Sequence, residues 1–74
     1  MVPDFMMAVQ YCALGQYEKA LDHLERVSEN KAESFFEIGL ESDPFLVPLY
    51  DNPRFRKIVE NMKKEFGLSM NGKQ

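Results

Sequence analysis

The chain has one cysteine, one histidine and no tryptophan among its 74 residues. Cys12 has no second cysteine to bridge, so an intramolecular disulfide is excluded. One His beside one Cys cannot assemble a structural zinc site from nitrogen and sulfur ligands alone. Four glycines stand apart at 15, 39, 67 and 72 and form no glycine-rich phosphate loop. Apolar runs are only a few residues long, too short to span a bilayer. No basic segment followed by an apolar core suggests a signal peptide, so a cytoplasmic setting is expected. Alternation of β-branched residues between turn signals is also missing, which argues against sheet.

What remains is helical. A chain of this length buries only roughly 60% of the surface its unfolded form exposes, and domains so small often lean on a disulfide, a metal or a partner. With the first two excluded, a partner is the expectation. Net charge is −3, unevenly placed: residues 1–51 hold three basic against ten acidic side chains, and residues 52–74 six against two. This polarity is expected to draw the last helix onto an acidic body. Its other reading is a nucleic-acid-binding helix using Arg54, Arg56, Lys57, Lys63 and Lys64, although such a surface is normally basic across the whole domain.

Spacing predicts helix 1 over about Pro3 to Leu14, with Gly15 free to end it. Helix 2 should run from Tyr17 to Val27 or Ser28 with a buried stripe of Tyr17, Ala20, Leu21, Leu24 and Val27. Its opposite face of Glu18, Lys19, Asp22, Glu25 and Arg26 should meet solvent, with an i,i+4 pair between Asp22 and Arg26. Asn30 and Glu33 read as a capping box opening helix 3, which carries Phe35, Phe36 and Leu40 to about Ser42. Asp43-Pro44 should open a single turn to about Val47, stopped by Pro48. Asn52-Pro53 opens the last helix, where Phe55, Ile58, Val59, Met62 and Phe66 form the strongest amphipathic stripe, ended by Gly67. One domain over residues 1–68 and a disordered tail over 69–74 follow.

The run Ala8, Tyr11, Gly15, Tyr17, Ala20 and Leu24 resembles one tetratricopeptide repeat, a helix-turn-helix unit of about 34 residues. Ala8 and Ala20 match its small crossing positions, Tyr11 and Tyr17 its aromatic ones and Gly15 its turn. Asp4 stands where tryptophan is common and Ala32 where proline often closes the unit, so the repeat is degenerate. The stretch SDPFLVPLYDNPRFRKIVENM is similar to the Asp-Pro-x-Phe and Asp-Pro-Arg-Phe tail that follows such repeats in many bacterial regulatory proteins, with Asn52 replacing the usual aspartate. The resemblance implies an all-α fold of about four helices plus one short helical turn, and a non-enzymatic protein-protein interaction role without cofactor.

Chemistry is sparse. His23 is where a general base would be sought at neutral pH, but its place at the edge of the helix 2 stripe suits a structural histidine. Cys12, among Ala8, Val9 and Ala13, has no base to generate thiolate and fits a packing role. Glu33, Glu37 and Glu41 make an acidic stripe without the glycine turn of a calcium loop.

Helix 1 is more informative, because its side chains are apolar nearly all the way round and such a helix is normally covered on every side. In tetratricopeptide proteins the first helix lines the ligand groove, which the resemblance places here at Val2, Phe5, Val9, Cys12 and Ala13. Nothing there resembles the Lys, Arg and Asn set that clamps a peptide carboxylate. The groove is expected to bind an apolar helix, a second copy as homodimer or an upstream repeat of a longer parent. Phe5 and Val9 would anchor it and Met6 would adapt to fit. The alternative is that the chain's own last helix covers this surface.

Overall fold

The computed structural model describes residues 3–30, 39–65 and 67. Among them the fold is all-α, without strands: helix α1 (Asp4–Ala13), helix α2 (Tyr17–Glu29), 3-10 segments at Leu40–Ser42 and Pro44–Leu49, and helix α3 (Pro53–Glu65). The first two helices form the expected hairpin.

The turn between them is written into three residues. Leu14 keeps right-handed backbone, and Gly15 then swings to φ +79°. This lets Gly15 N–H reach the Cys12 carbonyl at 3.0 Å and Gln16 N–H reach the Tyr11 carbonyl at 2.9 Å. Those two bonds are the paired closures of a Schellman motif, satisfying carbonyls that the helix end would otherwise leave open. Pro3 stands just outside α1 with ψ 150°, as its N-cap rather than its first helical residue.

Ala8 and Ala20 are fully buried in the hairpin, where small side chains let α1 and α2 approach. Leu21, Leu24 and Val27 complete the inner stripe of α2. Tyr17, expected in that stripe, is 41% exposed because it opens the helix beside the turn. Phe55, Ile58, Val59 and Met62 of α3 and Leu40, Leu46 and Leu49 of the 3-10 segments close the core. Phe66 lies outside the described residues.

Helix 3 of the sequence reading falls mostly outside the described residues, including Glu33, Phe35, Phe36 and Glu37. Its expected end is corrected: Gly39 takes φ +102°, a break in right-handed helix, so Leu40–Ser42 is a separate 3-10 turn. The next segment also departs from expectation by passing through Pro48 to Leu49. Proline lacks one N–H but its fixed φ is compatible with a short 3-10 run, and burying both Leu46 and Leu49 offsets the missing bond. Asp43 caps this segment through Phe45 N–H at 2.9 Å, and Asn52 caps α3 through Arg54 N–H at 2.8 Å. Tyr50 ties the two parts together, donating its hydroxyl to the Asp43 carbonyl at 2.6 Å and stacking on Phe55 at 6.0 Å.

Candidate functional site: the outer face of the first helix

α1 is covered on two sides. It packs on α2 and on the Pro44–Leu49 segment, whereas α3 packs on α2. The short proline-bearing segment therefore takes the covering place that the sequence reading had offered to the last helix. Ala8 and Cys12 are buried, and Phe5, Val9 and Tyr11 are half-buried against the core.

The anticipated groove residues consequently divide. Cys12 is only 3% exposed, so its expected partner contact is corrected: it is a core residue, and burial pushes its thiol pKa up. Phe5 and Val9 contribute to the chain's own core and present only part of their surface. Val2 lies outside the described residues. Met6 and Ala13 do face outward, joined by Gln10 and Leu14, which the sequence reading had not included. Met6 is 49% and Leu14 69% exposed. Positions 6, 10, 13 and 14 recur at helical spacing and share one side of the helix. That side carries no charged side chain. Spacing alone could not choose between this face and the Phe5–Val9–Cys12 face, since both are largely apolar; among the described residues the choice depends on elements distant in sequence, α2 and the Pro44–Leu49 segment, that pack on α1.

The polar side of the hairpin is built for structure. Asp4 at the start of α1 accepts from His23 Nδ1 at 2.9 Å, with Arg26 3.9 Å away. His23 also stacks on Tyr11 at 5.4 Å, and the Lys19 ammonium lies 5.6 Å from the same ring. Histidine, aspartate and tyrosine thus bind the two helices together at their polar edge. Cys12 is buried, and burial raises its thiol pKa, which disfavours the thiolate that a nucleophile needs.

Arg54 is the residue whose role the sequence reading missed. At the first turn of α3 it donates to Glu25 at 2.9 Å, Glu18 at 3.0 Å and Asp22 at 2.6 Å, all on α2. The expected solvent face of α2 is therefore partly a docking surface, and the Asp22–Arg26 pair is replaced by Asp22–Arg54. A signal existed in the i, i+4, i+7 carboxylates opposite a basic helix start. The Arg54 hydrogen bond lowers the Glu25 pKa, and Arg54 itself is held protonated by those carboxylates. Lys63 pairs with Glu41 in the same sense. Arg56, Lys57 and Lys64 remain exposed. A polar crevice of about 550 Å³ lies between α2 and α3, bordered by charges of both signs such as Glu29 and Lys57. Among the described residues no group of three or more His, Cys, Asp or Glu side chains could hold a metal ion, and no helix is long and apolar enough to cross a membrane.

No protein-family model, curated protein or solved structure matches this chain.

Proposed function

We propose that this chain is a non-enzymatic, tetratricopeptide-like interaction module of the bacterial cytoplasm whose outer α1 face docks a second copy of itself. The observation that carries the reading is the pair Met6 and Leu14, half and two-thirds exposed on a helix side without charge. Large apolar side chains clustered on one side of a small domain mark contact surfaces more often than singly scattered ones do. Phe5 and Val9 are partly buried against the core and present the rest of their surface beside that face, and Met6 supplies an adaptable contact. An upstream repeat of a longer parent would use the same face. The nucleic-acid reading is disfavoured because Arg54 is engaged by three carboxylates and Lys63 by Glu41.

Light scattering on the 8.6 kDa chain across about 10 μM to 1 mM tests the proposal. A mass rising toward the dimer supports it, and a constant monomer mass rejects it.

A further inference from the structure

We infer that the outer ridge of the Pro44–Leu49 segment is a docking surface for a cationic amphipathic helix of another protein. This ridge is separate from the outer α1 face and does not depend on self-association there. The segment winds with three residues per turn, so residues three apart stand above one another. That winding continues past Leu49: Leu46 N–H reaches the Asp43 carbonyl at 3.0 Å, Tyr50 N–H that of Val47 at 3.1 Å and Asn52 N–H that of Leu49 at 2.9 Å. Leu46 and Leu49 fill the inward row. Two rows remain, Phe45, Pro48 and Asp51 in one and Pro44, Val47 and Tyr50 in the other. Phe45 is 68% and Val47 54% exposed, and both prolines are exposed beside them. The ridge is also set before any partner arrives. Pro44 and Pro48 fix two φ angles, Asp43 caps the start, and the Tyr50 hydroxyl ties the far end back to the Asp43 carbonyl. A preset surface loses little conformational entropy on binding.

Charge complementarity selects the occupant. Asp43 stands at one end of the ridge and exposed Asp51 at the other, and no lysine or arginine occurs between Lys31 and Arg54. The cap uses one oxygen of Asp43 and leaves its charge in place. Asp51 makes no ion pair among the described residues. The cations that follow in sequence are engaged elsewhere, Arg54 by three carboxylates of α2 and Arg56 and Lys63 by Glu41. Apolar side chains between two carboxylates that lack a cation suit a helix whose apolar stripe is bordered by Lys or Arg. The same carboxylates repel phosphate-bearing surfaces. At a rise of about 2 Å per residue, Asp43 and Asp51 lie about 16 Å apart, which an α-helix covers in about eleven residues, so the partner's cations stand about three turns apart. The α3 helix of a second copy does not offer this pattern. Its Arg56, Lys57 and Lys64 are exposed, but its large apolar side chains Phe55, Ile58, Val59 and Met62 are all buried.

A model peptide tests this: about 14 residues of Leu and Lys patterned as an amphipathic helix, labelled and titrated with the intact chain by fluorescence anisotropy. A peptide with Glu in place of Lys and one with Ser in place of Leu serve as controls. The Leu/Lys peptide should bind and neither control should. Phe45→Ser combined with Val47→Ser should weaken binding about tenfold while circular dichroism stays unchanged, because both side chains lie outside the core. Asp51→Asn should weaken binding about threefold and reduce its loss in salt. Leu14→Ser, on the α1 face, should leave it unaltered. The proposal is overturned if the Leu/Lys peptide does not bind, if the Leu/Glu peptide binds as well, if the double variant binds undiminished, or if Leu14→Ser weakens binding as much. It is also overturned if the chain self-associates and the double variant abolishes that association, which would give the ridge to a second copy. A chain monomeric at every concentration that still binds the Leu/Lys peptide through Phe45 and Val47 rejects the self-association reading and supports this one.

Discussion

Gly15 shows how closely one residue can be tied to one backbone event. No atom lies within 4 Å of the point where its Cβ would be, so a side chain there meets no obstacle. The cost of replacing it is conformational, because φ +79° is the left-handed region that alanine avoids. Gly15→Ala is expected to destabilise the chain by about 1 kcal/mol and Gly15→Asn by less, measured as urea midpoints. The reach of sequence reasoning is clear at this scale: Gly15 as the turn and Asn52 and Asp43 as caps were readable because each depends on local backbone chemistry, whereas Ala8 and Ala20 as a crossing came from the resemblance to a repeat. Arg54 was not readable as a clamp, since its three partners lie between 29 and 36 residues away. Glu41 is similar. Burial pushes its carboxyl pKa up, but the Lys63 hydrogen bond, a backbone bond and the nearby cations together bring it below the ordinary range. Removing the ammonium with Lys63→Met should raise the Glu41 pKa, as followed by carboxyl NMR titration, and should lower stability because one Glu41 oxygen is already buried without a hydrogen-bond partner.

At the scale of elements, α3 reaches α2 by two means. Its apolar stripe enters the core, and Arg54 fixes its first turn against Glu18, Asp22 and Glu25. The carboxylates are substantially exposed, so the ion pairs contribute modestly and are screened by salt. Arg54→Ala should therefore cost on the order of 1 kcal/mol at low ionic strength and less in high salt, read by paired urea titrations. Arg54→Lys should restore only part of it, since an ammonium cannot reproduce the planar fork that serves three acceptors. Acid has a definite sign here. The Glu25 pKa is lowered on folding, so its contribution is present above the ordinary carboxylate pKa and is lost as pH falls through the lowered folded value. Arg54→Ala should flatten that acidic limb. The stripe of α3 was legible because it repeats at helical spacing. The Pro44–Leu49 segment was legible only at its start, because its length depends on burying Leu46 and Leu49 against elements distant in sequence.

For the molecule as a whole, the arrangement of elements decides which surface is left over. Helix 1 read as apolar nearly all the way round, and the resemblance to a tetratricopeptide repeat implied a groove face at Val2, Phe5, Val9, Cys12 and Ala13. The fold turns Ala8 and Cys12 inward and covers part of Phe5 and Val9, leaving Met6, Gln10, Ala13 and Leu14 outermost. The apolar side chains of α1 that stay exposed therefore lie part of a turn round the helix from the face the resemblance had implied. The mass of the chain as a function of concentration, compared between wild type and Leu14→Glu, tests that conclusion most directly. Leu14 is 69% exposed, so the glutamate leaves the core intact while placing like charges on both copies at the contact. A wild-type chain approaching twice 8.6 kDa as concentration rises, with Leu14→Glu monomeric throughout, is the predicted result. A wild-type chain that remains monomeric, or one whose association is unchanged by Leu14→Glu, would contradict it.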